Sequence, residues 1–284
     1  MMRRLFAVAV ACIGLAACGG GQSASVPPVV PAGPALPFNS VNPAQFPEAP
    51  VVRSVHHVAT VSLVAKLNPG NEMPAFYFDG QPDVAPTVRV SPGDTIVMDV
   101  ANELAGPTKT GDLNLHFHGL TVSPNPPADD VITTLALPGG TLHYVVPIPK
   151  TQEPGLYWYH PHVFPVTDFQ VGEAGMSGAI VVEGLQQHLP RLAKMTERVM
   201  IVRDIGLGDS DLRPRALPHL LGKAACGPDP GLTLTLNGVA HPTIEIAPGE
   251  KQFFRLVNAT AHKNLRLAVD GGMLQVVAID GFAL

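Results

Sequence analysis

The sequence of 284 residues is long enough for one large domain or two domains of ordinary size. Hydrophobic residues make up 46% of it and charged residues only 14%, so a substantial apolar core can be buried. The formal net charge is −5 and no basic run occurs, which excludes the electrostatic pattern typical of nucleic-acid binding. The 30 prolines and 28 glycines favour many short strands joined by turns over long helices.

Residues 1–18 have the organisation of an export signal. Two arginines precede an apolar run over residues 5–17, which is too short to span a bilayer as a permanent helix. The run ends in Leu-Ala-Ala directly before Cys18, which resembles the bacterial lipoprotein signal, in which this cysteine becomes lipid-modified. The alternative is an ordinary secretory signal that is cleaved nearby. The lipoprotein resemblance implies an exported protein at the periplasm or cell surface, and the Gly that follows Cys18 favours anchorage to the outer membrane.

The segment that follows the signal has the composition of a linker. Residues 19–51 are rich in Gly, Ser, Ala and Pro and carry almost no charge, which predicts a semi-rigid tether between membrane and folded part. Cys12 belongs to the signal and Cys18 to the anchor, so Cys226 has no cysteine partner in the mature chain. Because Cys226 lies in a Gly-Pro turn without a nearby histidine, we interpret it as an incidental thiol.

An internal repeat predicts two related β domains. Residues 86–102 read PTVRVSPGDTIVMDVAN and residues 242–258 read PTIEIAPGEKQFFRLVN, with Pro-Thr, Pro-Gly and Asn at equal spacing. Each copy alternates apolar and polar residues around a Pro-Gly turn, which predicts a β-hairpin. We expect a first domain over residues 52–184 and a second over residues 185–284. Since the second copy has fewer residues after it than the first, we expect the second domain to be partial and the chain to be the N-terminal part of a longer protein.

Two His-x-His pairs lie in the predicted first domain. His116 and His118 belong to NLHFHG, and His160 and His162 belong to YWYHPH. In a strand, side chains at i and i+2 point to one face about 7 Å apart, which suits two neighbouring metal ions better than one. Two such strands side by side would present four imidazoles to a shared cluster. Imidazole binds copper, zinc, iron and nickel, so the residue type leaves the metal open. The alternative is that alternating strands place structural histidines in this way.

The flanking residues carry a resemblance to a known family. HFHGL at 116–120 and GLYWYHPH at 155–162 resemble the first two copper signatures of the laccase-like multicopper oxidases. The segment GMSGAIVV at 175–182 is similar to the strand that closes the family's first domain, and residues 237–260 resemble its middle domain. The similarity covers the chain from about residue 60 onward. It implies cupredoxin-like Greek-key β-sandwiches, one complete and one truncated.

The resemblance also implies roles for individual residues. His116 resembles a ligand of the type 2 copper, and His118, His160 and His162 resemble ligands of the binuclear type 3 pair. Asp129 occupies a position where the family often has an acidic residue that assists proton delivery. Its alternative is a solvated loop carboxylate or a turn cap. The second domain has Arg and Ala where the first has its His-x-His pair, so we expect no copper ligands there.

The implied activity is the one-electron oxidation of a donor coupled to the reduction of O2 to water. A type 1 copper requires a cysteine flanked by histidines, and the sequence contains none, so the resemblance implies half of a trinuclear cluster and no electron acceptor site. The partners implied are O2, a reducing substrate and the membrane. One alternative is a non-catalytic exported copper-binding lipoprotein. A single-site cupredoxin or nitrite reductase is disfavoured because residues 52–184 lack a cysteine, and a zinc hydrolase because no matching carboxylate motif occurs.

Overall fold

The structure is a computed structural model that describes residues 5–6, 8–12, 45–82, 85–104, 111–206, 232–260 and 263–284. For residues 5–6 and 8–12 only the course of the backbone is described. Cys18, most of the predicted tether and Cys226 lie outside the described residues. No helix within the described stretches combines the length and the apolar character needed to cross a bilayer.

Two five-stranded sheets form a sandwich in the first half of the chain. The first sheet has the order β10-β8-β4-β5-β6. Its strands are β4 (Val58–Leu67), β5 (Pro74–Phe78), β6 (Gln81–Pro82), β8 (Thr95–Asn102) and β10 (Thr141–Pro147). Apolar residues alternate along the long strands, and in β8 every second residue is buried. This period of two places one face of the sheet against the core.

The second sheet carries both His-x-His motifs. Its order is β3-β7-β12-β11-β9, so that among the described residues β9 is an edge strand and pairs with β11. Its strands are β3 (Val51–Arg53), β7 (Thr87–Val90), β9 (His116–His118), β11 (Gly155–His160) and β12 (Gly178–Val182). A single π-helical segment, Asp168–Glu173, lies between β11 and β12.

The core of the sandwich is filled by side chains from both sheets. The rings of Phe117 in β9 and Tyr144 in β10 meet edge to face with centroids 5.4 Å apart, and both residues are fully buried. Each buried aromatic side chain of this size contributes roughly 2–3 kcal/mol through removal of apolar area from water. The prediction of an all-β chain is confirmed, since only two short helical segments occur besides the π-helical one in the described residues.

A second group of strands follows the sandwich. After α1 (Leu185–His188) and a 3-10 helix (Pro190–Lys194), a three-stranded sheet has the order β14-β13-β16. Its strands are β13 (Thr196–Gly206), β14 (Leu232–Leu236) and β16 (Gln252–Asn258). Three two-stranded pairs complete the fold, namely β1 (Leu5–Phe6) with β15 (Ile244–Glu245), β2 (Val8–Cys12) with β17 (Leu265–Val269), and β18 (Ala278–Ile279) with β19 (Phe282–Ala283). The predicted domain boundary falls between β12 and α1, and the division itself stays a prediction.

The two copies of the internal repeat form the same turn. Asp94 accepts a hydrogen bond from the backbone N–H of Ser91 at 2.8 Å, and Glu250 accepts one from Ala247 at 2.7 Å. The hairpin prediction, however, is wrong in both copies. In the first, β7 pairs with β3 and β12, whereas β8 pairs with β4 and β10 of the other sheet. In the second, β15 pairs with β1 and β16 with β13. The Pro-Gly turn reverses the chain between sheets, and alternation alone does not reveal which strand is the partner.

The site-bearing sheet is buried on both faces at β12. Ile180 and Val182 point into the sandwich core, whereas Ala179 and Val181 pack against Val199 and other apolar residues of β13 and β16. The nearly continuous apolar segment GAIVV therefore forms a strand covered on both sides. The partly buried Leu156 and Trp158 of β11 extend the same contact, so the second strand group covers the face that carries His160.

Candidate functional site

The two His-x-His motifs lie side by side at the edge of the second sheet. β9 and β11 are antiparallel neighbours, with His116 opposite His160 and His118 opposite Trp158. Residues directly opposite each other in such a pair project from the same face, and so do residues two apart along one strand. The side chains of His116, His118, His160 and Trp158 therefore lie on one face, while Phe117 and Tyr159 point to the opposite face and into the core.

The backbone conformation and the neighbouring Tyr157 ring explain why a glycine, Gly119, follows the first His-x-His pair. Gly119 follows His118 with φ +84°, a conformation that side-chain-bearing residues rarely adopt. A Cβ at this position would lie 3.0 Å from Cδ1 of Tyr157 in the neighbouring strand. The chain thus leaves β9 immediately after His118, and this histidine remains at the exposed end of the strand.

The four imidazoles form one cluster around His116. Its ring centroid is 5.2 Å from that of His118, 5.4 Å from that of His160 and 5.3 Å from that of His162. Ring nitrogens of His116, His118 and His160 all lie within 4.8 Å of one another. Within the part of the chain that the structure describes, no other set of three or more His, Cys, Asp or Glu side chains converges in this way.

Two of the rings are oriented by hydrogen bonds through Nδ1. The Nδ1 of His116 lies 3.0 Å from both carboxylate oxygens of Asp129, and that of His160 lies 2.8 Å from the carbonyl oxygen of Pro161. Since a carbonyl oxygen only accepts, His160 carries its proton on Nδ1 and has a lone pair on Nε2. That Nε2 is 3.3 Å from Nδ1 of His118. Fixing one nitrogen in this way directs the other to a metal ion.

Burial keeps the inner imidazoles neutral. His160 is only 5% exposed, and burial lowers its pKa to about 3, to which repulsion from the neighbouring histidines adds. His118 is exposed as a residue, but desolvation of its ring among the neighbouring side chains still lowers its pKa, and the proximity of the imidazoles of His116 and His162 acts in the same direction. At neutral pH these rings therefore offer lone pairs without first losing a proton, which is the state that a metal ion requires.

Two adjacent aspartates support the cluster in different ways. The carboxylate of Asp129 accepts hydrogen bonds from His116 and from the backbone N–H of Phe117, at 2.8 Å. Asp130 instead caps its own turn, where the hydroxyl and N–H of Thr133 hold the pKa of its carboxyl far below the usual range. Asp129 is thus turned inward, with a side chain only 12% exposed, rather than being a solvated loop carboxylate.

Two residues at the cluster were not identified from the sequence. The ring of Trp158 stacks on His160 at a centroid distance of 4.1 Å and lies 5.0 Å from the ring of His118. The period of two, counted back from His160, could have assigned it to this face. Asn114 is buried, and its Oδ1 accepts the backbone N–H of His162 at 2.8 Å. No pattern in the sequence indicates this long-range bond.

The histidines outside the two motifs lie elsewhere. His57 contacts Asp94 at 2.8 Å, and His143 contacts Asp99 at 2.6 Å on the outer face of the first sheet; both histidines are exposed. His188 and His241 are exposed, and His219 and His262 lie outside the described residues.

Two family models, both described as multicopper oxidase, match residues 65–187 and 157–284, and together they include all four clustered histidines. The iron transport multicopper oxidase FET3 of Gibberella zeae is 27% identical over 224 residues, 76% of this chain and 33% of that protein. Multicopper oxidase MmcO of Mycobacterium tuberculosis is 25% identical over 248 residues, 78% of this chain and 44% of that protein. The copper-containing nitrite reductase of Neisseria gonorrhoeae is 30% identical over 220 residues, 68% of this chain and 52% of that protein. The chain thus spans about a third to a half of the length of these relatives.

Solved structures share the fold. The McoA multicopper oxidase of the hyperthermophile Aquifex aeolicus superposes with a TM-score of 0.55 at 20% identity, covering 78% of this chain and 47% of that one. A laccase from Pediococcus acidilactici gives 0.50 at 19% identity, covering 71% and 42%. These likenesses confirm the predicted cupredoxin-like β-sandwich fold. Together with the two family matches over residues 65–284, they lead to one conclusion: the chain belongs to the multicopper oxidases, a family of oxidoreductases.

Proposed function

We propose that this chain supplies half of the ligands of a trinuclear copper cluster in an oxidase that couples one-electron oxidation of a donor to reduction of O2 to water. His116 would bind the type 2 copper, and His118, His160 and His162 would bind the type 3 pair. The observation that supports this best is the convergence of the four rings: the register of β9 and β11 brings His116, His118 and His160 to one face, and the ring of His162 lies 5.3 Å from that of His116.

The residues fit copper in their donor chemistry and protonation. The cluster offers imidazole nitrogens, which suit copper, and its buried ring is neutral at pH 7. The Nδ1 contacts of His116 with Asp129 and of His160 with Pro161 leave Nε2 of both rings available. Copper, when bound, supplies the one-electron redox chemistry that these side chains lack.

The protein's own contribution is orientation, exclusion of water and proton handling. Asp129 orients His116, and the stacked ring of Trp158 covers one side of His160. The Asp129 carboxylate has more acceptor sites than its bonds to His116 and Phe117 use, so an oxygen can take up a proton beside the cluster. We propose that this is its role in oxygen reduction, as a relay between the half-buried site and solvent.

We propose a reducing substrate that gives up single electrons, without naming one compound. The relatives include proteins named for iron transport and proteins named laccase, so their names do not select one reducing substrate. Cys12, Cys18 and Cys226 are not flanked by histidines, so none of them makes a type 1 copper site of the known kind. We therefore propose that the electron acceptor site and the remaining ligands are supplied from outside this chain.

The first expected result concerns the full chain loaded with Cu(II). We expect it to bind copper that a strong chelator removes, without intense blue absorption and without steady oxygen uptake in the presence of a phenolic donor. The reasons are the incomplete ligand set and the lack of a cysteine thiolate ligand. Metal analysis before and after the chelator measures bound copper, visible spectroscopy measures the blue absorption, and an oxygen electrode measures oxygen uptake. Steady oxygen uptake that His118→Ala abolishes would refute the half-site proposal, and copper content equal to that of a variant without all four histidines would refute the copper site.

We also propose export and lipid anchoring through Cys18, on the basis of the apolar run at residues 5–17 and the Leu-Ala-Ala-Cys sequence. In a bacterial host, a fatty-acid analogue should label the wild-type chain and the Cys226→Ser control, whereas Cys18→Ser should stay unlabelled. The membrane fraction should contain the first two and lose the third. Equal labelling of all three chains, or full recovery of the wild type in the soluble fraction, would rule out the anchor.

A further inference from the structure

A single buried amide connects the three segments that form the copper site. Asn114 lies two residues before His116, on the segment that leads into β9. Its Oδ1 accepts the backbone N–H of His162 at 2.8 Å, and its Nδ2 donates to the carbonyl oxygen of Val131 at 3.1 Å. Val131 directly follows Asp129 and Asp130 in the segment between β9 and β10. Asn114 belongs to the segment that carries His116 and His118. Its side-chain amide bonds to the segment that carries His160 and His162, and to the segment that carries Asp129.

His162 is the cluster histidine that the strand pairing of β9 and β11 does not hold in place. β11 ends at His160, and the register of β9 with β11 ends at the same residue, so His162 lies beyond the ladder hydrogen bonds. Its side chain is exposed, and packing therefore restrains it little. Asn114 is 2% exposed, so its amide is held in place by its surroundings and offers the N–H of His162 a fixed acceptor.

We propose that Asn114 is a positioning residue, which sets the distance of His162 from His116 and thereby lets both His-x-His pairs bind the same copper cluster. This inference rests on the proposed copper function. Without the amide, His162 would sample positions that do not meet the other three rings, while His116, His118 and His160 would remain held by the strand pairing. Copper would then bind through fewer imidazoles, with weaker affinity and altered ligand symmetry.

The test compares Asn114→Ala with Asn102→Ala in the full chain. Asn102 is a matched control, since it is 1% exposed and its amide also bonds two loop carbonyls, of Gly111 and Ala136, away from the histidines. We expect Asn114→Ala to weaken Cu(II) binding about 10-fold to 100-fold in chelator competition, the range found when partners of metal ligands are removed. The Cu(II) electron paramagnetic resonance spectrum should change as well. Asn102→Ala should lower the stability of the fold and leave both copper readouts at wild-type values.

A second variant and a metal-free measurement guard against misfolding. Asn114→Asp keeps the acceptor for His162 and loses the donor to Val131, so amide hydrogen exchange at His162 should stay slow, whereas Asn114→Ala should accelerate it. Wild-type copper affinity and spectrum in Asn114→Ala, with weakened binding in His162→Ala, would overturn the positioning role and leave the copper site intact. Fast exchange at His162 in the wild type would also overturn it. A wild-type chain that binds no copper would overturn the copper function and this inference together.

Discussion

Replacing Gly178 with alanine should destabilise the first sandwich far more than a methyl addition at an exposed glycine of the same domain. Gly178 lies directly opposite Tyr159 in the β11–β12 pair, and the Tyr159 ring folds over it. A Cβ at Gly178 would lie 2.2 Å from Cζ and from Oη of that ring, far inside van der Waals contact. Tyr159 cannot retreat, because it is fully buried and its hydroxyl donates to the carbonyl oxygen of Pro86 at 2.9 Å. Overpacking of a core in this way costs about 1–3 kcal/mol and sometimes more.

Thermal and urea unfolding of Gly178→Ala, followed by circular dichroism, would measure the loss. Gly70→Ala is the matched control, since Gly70 is exposed and the nearest atom to a Cβ at this position would be Oδ1 of Asn68, at 3.3 Å. We expect the control to change stability by less than about 0.5 kcal/mol. In a Tyr159→Leu background the added cost of Gly178→Ala should shrink, because the ring that the new methyl group would strike is gone. Equal, small effects of both alanine variants would contradict the close approach.

The shared face within each histidine pair could be predicted from the sequence, and the reason is periodicity. A strand repeats every two residues, so His-x-His fixes which side chains share a face before any partner strand is known. Aromatic and apolar neighbours such as Phe117 and Tyr159 then assign the opposite face to the core, and the structure buries both. The sequence indicates only what two such strands would present if they were neighbours, and in the structure β9 and β11 are neighbours.

Strand partners could not be predicted from local pattern in the same way. The sequence correctly predicts Pro-Gly turns at residues 91–94 and 247–250, yet neither turn closes a hairpin. A turn fixes the reversal of the chain but leaves open whether the next strand continues in the same sheet or crosses to the facing one. That choice depends on which strands, distant in sequence, occupy the neighbouring positions. β8 pairs with β4 and β10, from opposite sides of the repeat.

The supporting residues of the site depended on contacts across long sequence separations. The family resemblance indicates Asp129 as a site residue. Its hydrogen bonds to His116 and Phe117 join residues that are 13 and 12 positions apart in the sequence. Asn114 reaches His162 across 48 residues, for which neither spacing nor composition carries a signal. Asp130 is the neighbouring aspartate, but its carboxylate accepts hydrogen bonds from the backbone N–H groups of Ile132 and Thr133 in its own turn. Residue type alone therefore did not separate the two aspartates.

Removal of single histidines should affect copper binding in a pattern that depends on position. His160→Ala should cause the largest loss of affinity, because the ring is buried, its Nε2 lies 3.3 Å from Nδ1 of His118, and it meets the ring of His116 edge-on at a centroid distance of 5.4 Å. His116→Ala should alter the type 2 character of the Cu(II) electron paramagnetic resonance spectrum, whereas His118→Ala and His162→Ala should chiefly damage the type 3 pair. Since loss of a mere partner of a ligand costs about 10-fold to 100-fold in affinity, loss of a ligand should cost at least tenfold.

The matched control for these variants is His143→Ala, an exposed histidine that pairs with Asp99 on the other sheet of the same domain. Its copper content, affinity and spectrum should equal those of the wild type. Circular dichroism of the metal-free variants separates loss of a ligand from loss of the fold, since alanine at His160 also removes the ring on which Trp158 stacks. If the four cluster variants and His143→Ala give the same copper content and the same spectra, the ligand assignment is wrong. If the four lose copper equally but their spectra do not differ, the histidines bind copper and the division between type 2 and type 3 ligands is wrong.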